Sequence, residues 1–354
     1  MGAMTRGVRG VGVVVLLGVC CIAGAAAPAP ATPEPSPTSP SRAVPEGTEQ
    51  LFTLTDPRIA ESSGLAVSHR HEDIYWTHND SGPDYGPTLY AVNGEGDTVA
   101  TVWLAGEGVE ARDWEAIGIG VDEHGEPAIY VADIGDNYQG GWPNVRVYRI
   151  PEPRELVDQT VTATTFTFVY EDGGRDAEGL LIDPRDNRLY LVSKEFTGGV
   201  YAAPEQLDPD GVNTLTRVGS APLFATDAAF SPEGSYYAIR TYWNATLYDA
   251  SEGVPGRRIA TVTLPESDQG ESLAFTRDGS ALLVGSEGTH SPVWRVPVDE
   301  FLDAPPEAAD EEPSPEATEE ADLSGGGGAG GLILVGAGIA AVAILAIVWL
   351  ARNS

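Results

Sequence analysis

Between Gln50 and Val298 short apolar runs alternate with polar turns, and the runs recur in register. "SSGLAVS" (62–68), "WEAIGIG" (114–120), "AEGLLID" (177–183), "ATDAAFS" (225–231) and "GESLAFT" (270–276) align. Leu65, Ile117, Leu180, Ala228 and Leu273 then share a column, at steps of 52, 63, 48 and 45 residues. A second run follows in each copy: "IYWT", "IYVA", "LYLV", "YYAI" and "ALLV". A third carries an aromatic in one column: Tyr90, Tyr148, Tyr201, Tyr248 and Trp294. A fourth alternates: "TVATVWL", "TATTFTF", "NTLTRV" and "RIATVTL". Short runs rich in Val, Ile, Tyr and Thr, bounded by Gly, Asp, Asn and Pro, predict β-strands. In the first strand, Leu65/Val67, Ile117/Ile119, Leu180/Ile182 and Leu273/Phe275 lie two apart, on one face. The other face is mostly small: Gly64/Ala66, Ala116/Gly118, Gly179/Leu181 and Ser272/Ala274.

Repeated four-strand units with tight turns predict an all-β fold, a β-propeller over residues 49–300. The small face suits an innermost strand crowded against an axis. The count is five blades, or six if the long second unit hides another; "ELVDQTVTATTFTFVY" reads more simply as a loop plus one strand. The fifth copy lacks its fourth strand, and a spare strand, "QLFTLT" (50–55), precedes the first. That strand is expected to complete the last unit and close the ring, removing exposed sheet edges.

The ends of the chain have a different character. Residues 1–25 carry Arg6 and Arg9, an apolar run from Val11 to Ile22, and small residues at a cleavage-like site, Ala23-Gly24-Ala25. They predict a secretory signal peptide. Cys20 and Cys21 lie within it, so the mature chain would have no cysteine and must be held by its core. Residues 26–48 form a Pro/Ala/Thr-rich leader. Residues 301–330 are acidic, then Gly-rich, as in an extended stalk. Residues 331–350 are uncharged and mainly apolar, enough for a membrane-spanning helix, and 351–354 form a short tail. The expected location is the cell membrane, single-pass type I, with the propeller outside.

Charge narrows the candidate chemistry. The chain has a formal net charge of −33, with nineteen Arg and one Lys, Lys194. That excludes a nucleic-acid surface, which needs clustered bases. The acids are patterned: Asp113-Trp-Glu115 and Asp176-Ala-Glu178 both stand at the start of a first strand. The second strand runs antiparallel, so its exit lies on the same face. There stand "THNDSG", "ADIGDN", "SKEFTG", "RTYWNA" and "GSEGTH". One face should therefore gather Glu61, His78, Asn79, Asp80, Asp113, Glu115, Asp176, Glu178, Lys194, Glu195, Asp227, Arg240, Glu271 and Glu287. Crowded carboxylates need compensation. Internal bases, a basic ligand or a hard cation would each supply it, and turn capping is a further use for such acids. The cation most simply implied is Ca²⁺, on Glu115, Asp133, Asp136, Glu178 and Glu271. "DIGDN" is not an EF-hand loop. There is no G-x-S-x-G elbow and no H-E-x-x-H pair.

"ESSGLAVS", "IYWTHNDSG", "VEARDWEAIGIG", "IYVADIGDN", "DAEGLLIDPRDNRLYLVSKE" and "QGESLAFTRDGSALLVGSEG" resemble a family of secreted or membrane-anchored actinobacterial β-propellers, WD40-like. The resemblance spans Glu61 to Val298 and implies a propeller with no particular activity. A more distant likeness runs to esterase-like and phytase-type propellers; phytase-type sites add several Lys and Arg, where this face has Lys194 and a few Arg. The Trp-Asp dipeptide of WD40 repeats is absent. The expectation is a monomeric cell-surface recognition module for an extracellular ligand or protein. The alternative is a metal-dependent hydrolase of an ester, lactone or phosphoester.

Overall fold

A computed structural model describes residues 43–80, 85–138 and 140–302. The expected signal peptide, most of the leader, the stalk from residue 303, the apolar span 331–350 and the tail lie outside the described residues. No helix among the described residues is long and apolar enough to cross a membrane.

The regular structure of the described residues is almost all strand. β1 (Glu49–Thr53) precedes β2 (Ser62–Val67), β3 (Ile74–Asn79), β4 (Thr88–Asn93) and β5 (Thr98–Ala105). Then come β6 (Trp114–Val121), β7 (Pro127–Asp133), β8 (Val145–Pro151), β9 (Gln159–Thr162) and β10 (Thr164–Tyr170). The next unit is β11 (Ala177–Ile182), β12 (Leu189–Ser193), β13 (Gly199–Ala202) and β14 (Val212–Ser220). β15 (Ala225–Phe230), β16 (Tyr236–Thr241), β17 (Asn244–Asp249) and β18 (Arg257–Thr263) follow. β19 (Leu273–Phe275), β20 (Ala281–Val284) and β21 (Pro292–Pro297) lead to one helical turn, α1 (Asp299–Leu302).

Consecutive strands pair antiparallel as meanders, β2 to β5 and β15 to β18 among them. β10 pairs β14 in parallel, which joins two meanders into an 8-stranded sheet ordered β11-β12-β13-β14-β10-β8-β7-β6. The first strands of the meanders pack side by side: β2 on β6, β6 on β11, β11 on β15, β15 on β19, and β19 back on β2. A ring of inner strands with meanders radiating from it is a β-propeller.

The small residues of the inner strands allow this ring. A Cβ on Gly64 would lie 2.9 Å from the Ile117 side chain, and one on Gly179 would lie 3.1 Å from Ala228 Cβ. The larger column is buried, with Leu65, Ile117, Leu180 and Leu273 at 1–4% exposure. These four residues, with Val67, Ile119, Ile182 and Phe275, line an apolar cavity of about 120 Å³ that reaches His69 and Pro232 in the turns after the inner strands. The apolar clusters lie between neighbouring meanders; one joins Leu180, Leu191 and Tyr201 to Val147, Phe166 and Phe168.

The long second unit departs from expectation. Residues 155–170 hold two strands, β9 and β10, and β9 pairs in parallel with β5, on the outer edge of the preceding meander. An edge strand presents unpaired N–H and C=O groups, and β9 satisfies those of β5.

The spare N-terminal strand does pair with the last unit: β1 lies antiparallel to β21, in a 4-stranded sheet ordered β1-β21-β20-β19. Phe52 is buried with Leu65, Tyr90, Leu283 and Val293, side chains from both ends of the ring. Its ring lies 5.0 Å from that of Tyr75. Gly96, at φ +88°, lets the β4–β5 turn rest on β1, where a Cβ would come within 1.8 Å of the Thr53 oxygen. Phe52→Ala should therefore cost about 3–5 kcal/mol and lower Tm by roughly 10 °C. A thermal melt checks it; a loss within one degree would show that β1 is not part of the closure.

Candidate functional site

The inner strands begin with a repeated irregularity. Pairing with the second strand slips between Ser62 and Gly64, Trp114 and Ala116, Ala177 and Gly179, and Ala225 and Asp227. The extra residues are Ser63, Glu115, Glu178 and Thr226, and Glu271 occupies the same column in the last unit. A β-bulge re-aims the side chain of its extra residue. The Asp-x-Glu pattern thus marks a bulge with one acid on it and another two residues earlier.

The well so formed is acidic and buried. Oxygens of Asp80, Asp113 and Glu115 lie within 4.8 Å of one another. Gly135 packs against them: a Cβ there would sit 2.3 Å from Glu115 Oε1 and 2.7 Å from the Asp113 carboxylate. A side chain there would displace the two carboxylates. Burial, then Glu178 and Asp80, push the Glu115 carboxyl well above its ordinary value.

Beside this cluster stands the chain's single lysine. Lys194 Nζ donates to Glu178 Oε1 and lies 5.1 Å from the centre of the Tyr242 ring. Burial opposes its charge, yet Glu178, Glu271, Tyr242 and Glu115 together hold it well above the ordinary lysine value. Glu178 is raised by burial, against the pull of Lys194 and with a push from Glu271. Glu271 is raised by burial, against the pull of Lys194 and Arg240. Glu178 Oε2 and Glu271 Oε2 are buried without a hydrogen-bond partner of conventional geometry. On the far wall Arg240 is buried, its Nη1 donating to the Ser272 and Gly285 carbonyls. Burial lowers its pKa to about 10 against Glu271 and Asp227. Glu287, bonded by Ser63 Oγ at 3.3 Å, is lifted to about 8 by burial, Glu271, Asp80 and Glu61. Glu61 is half-buried and raised by desolvation.

Other residues expected on this face are committed elsewhere. Asp133 accepts from Arg112 Nε at 2.9 Å, from the amides of Arg112 and Asp113, and from Tyr148 at 3.1 Å. Asp136 accepts from the amides of Tyr138 and Trp142 at 2.9 and 2.7 Å. Both are spent on loop structure, whereas the expected cation set included them and omitted Asp80 and Asp113. Asp176 accepts the Asp136 amide at 2.8 Å, and burial raises its pKa. Asn79 clamps the Ala60 and Glu61 amides. Glu195 pairs with Arg175 at 2.8 Å. Asp227 stands one place beyond the bulge column and accepts the Leu273 and Ala228 amides at 2.6 and 2.7 Å, tying β15 to β19. His78 is not presented on the face: it is fully buried against Gly64 and edge-on to Trp114 at 5.8 Å. Burial lowers its pKa to about 4, so it is neutral.

The sequence expectation missed the aromatics of the same loops. Tyr242 lies beneath Lys194. Tyr138, Phe196 and Trp243, all more than 60% exposed, stand in the loops that leave β7, β12 and β16. The signal is present in "ADIGDNY", "SKEF" and "RTYW", where an aromatic directly follows each polar run.

No known protein family matches the chain, and no curated protein matches it. Among the solved structures that resemble it are that of U3-55K and the crystal structure of the RRP9 WD40 repeats. Each is 15% identical, covers 67% of this chain and 67% of its own, and has a TM-score of 0.36. The propeller assignment rests on the strand pairing above.

The raised acids set a pH dependence. A carboxyl whose folded pKa exceeds its unfolded value binds protons more tightly when folded, so stability falls as pH rises between the two values. For Glu287 that window runs from the ordinary 4.5 to about 8. In calcium-free buffer Tm should decline across it, and Glu287→Gln should flatten the decline. A Tm that rises over the same window would contradict the buried-acid assignment.

Proposed function

We propose that this protein is a five-bladed propeller acting as a cell-surface recognition module, whose acidic well binds a divalent cation, Ca²⁺. The carrying observation is the convergence of Asp80, Asp113 and Glu115 oxygens within 4.8 Å. Ca²⁺ binds oxygens at about 2.3–2.6 Å, so ligands around one ion stand at such separations. Gly135 leaves room for the carboxylates, and the unpartnered oxygens of Glu178 and Glu271 add acceptors nearby. A bound cation would hold Glu115 ionised against its burial. Exposed Tyr138, Phe196 and Trp243 beside the well support recognition of an extracellular ligand or protein. The acidic charge disfavours nucleic acid. One chain closes its own ring, so the reading needs no second subunit. Apolar residues 331–350 support a single C-terminal anchor, with the propeller outside.

A second reading, a metal-dependent hydrolase of esters, lactones or phosphoesters, is favoured by the Glu178–Glu271 pair. Two buried carboxyls beside Lys194, both raised by burial, offer a proton donor and acceptor. Turnover of such substrates, abolished by Glu178→Gln with the Ca²⁺ response retained, would select it.

The cation reading is tested by thermal melts of the full chain with Ca²⁺, Mg²⁺ or a chelator. At a hundredfold over Kd, Ca²⁺ should stabilise by about 2.7 kcal/mol, a rise of roughly 5–10 °C. Glu115→Gln and Asp113→Asn should abolish the rise, and Gly135→Ala should weaken it. A melt indifferent to Ca²⁺ would sink the cation site and leave the well to a basic partner.

A further inference from the structure

The acids gather where the inner strands begin, and the apolar cavity of about 120 Å³ lies towards their other end. It is walled by the apolar column of these strands and reaches His69, Pro184, Pro232 and Arg277 in the turns that follow β2, β11, β15 and β19. The wall keeps accessible surface: Val67, Ile119 and Phe230 are half-buried, unlike Leu65, Ile117 and Leu180. Apolar surface left to water in a concave site is what an apolar ligand covers.

Shape and charge restrict that ligand. From Leu65 to His69 the cavity follows roughly 13 Å of chain, at about 3.3 Å per residue. A volume of about 120 Å³ spread over that length is long and narrow, which suits an unbranched chain better than a ring. Acids outnumber bases in this protein, 53 Asp and Glu against 20 Lys and Arg. Among the described residues that line the cavity, however, none is a carboxylate, and Arg277 is the single charged side chain. Arg277 is exposed, and its Nη2 donates to the Ser68 and His71 carbonyls. Carbonyls position the guanidinium without cancelling its charge. Two acids near these turns are bonded elsewhere: Asp278 accepts from Thr276 and Ser280, and Glu152 from Ser68 and Trp76. A guanidinium matches a carboxylate and repels an ammonium.

We propose that this cavity binds an unbranched acyl chain ending in a carboxylate, with the alkyl part between the inner strands and the carboxylate on Arg277. The site lies at the opposite end of the inner strands from the acidic well and does not depend on the cation reading.

The test is isothermal titration calorimetry on the full chain in calcium-free buffer with octanoate, octanol and octylammonium. Octanoate should bind with a negative heat-capacity change, the mark of apolar burial. It should bind about tenfold tighter than octanol, and octylammonium should bind weakest. Arg277→Gln should bring octanoate to the level of octanol and leave octanol unchanged. Val67→Phe fills the cavity from β2, and Ile119→Phe fills it from β6. Whichever of the two keeps the parent Tm should lose octanoate and octanol alike, and that loss separates the cavity from uptake elsewhere on the chain. Absence of octanoate binding, octylammonium binding as tightly as octanoate, or binding that survives a folded filling variant would overturn the proposal.

Discussion

The structure depends on the close approach of its inner strands around one axis. Gly64, Ala116, Gly118 and Gly179 bring β2, β6 and β11 to within contact of their neighbours. A larger side chain on that face would push the ring open. With the cavity between the inner strands lined by the apolar column of Leu65, Ile117, Leu180 and Leu273, polar groups have no place along most of each inner strand. They collect at its start, where the bulge lets Glu115 and Glu178 leave the sheet plane.

The same constraint explains the electrostatics. Acids forced together at the mouth of a narrow ring lose solvent and repel one another, which raises Glu115, Glu178 and Glu271. Two bases answer them from inside, Lys194 and Arg240, each desolvated as well. The raised carboxyls of Glu115, Glu178, Glu271 and Glu287 hold protons more tightly than free carboxyls, and a bound cation would compete with those protons. Structural acids behave differently. Asp133, Asp136 and Asp227 each receive backbone amides that tie a loop or a neighbouring strand, so their charge is already balanced by hydrogen bonds.

Closure and the site are also linked. β1 seals the last meander, and the loop after it carries Glu61, whose carbonyl accepts the amide of Asp80, one of the three clustered carboxylates. Loss of β1 would therefore disturb the well as well as the core.

The sequence by itself determined the repeating strands, the small and large faces of the inner strand, the closing role of β1 and the side of the ring on which acids gather. Each of these follows from a local period of two, or from a column repeated along the chain. Tertiary structure alone decided which acids meet. Asp113 and Asp133 look equivalent in sequence, yet one joins Asp80 and Glu115 while the other is consumed by Arg112 and two amides. His78 looked like a face residue, but one step of register turned it under Trp114. Which carboxylates a given acid meets depends on which strands and loops bring them together, and spacing along the chain does not carry that information.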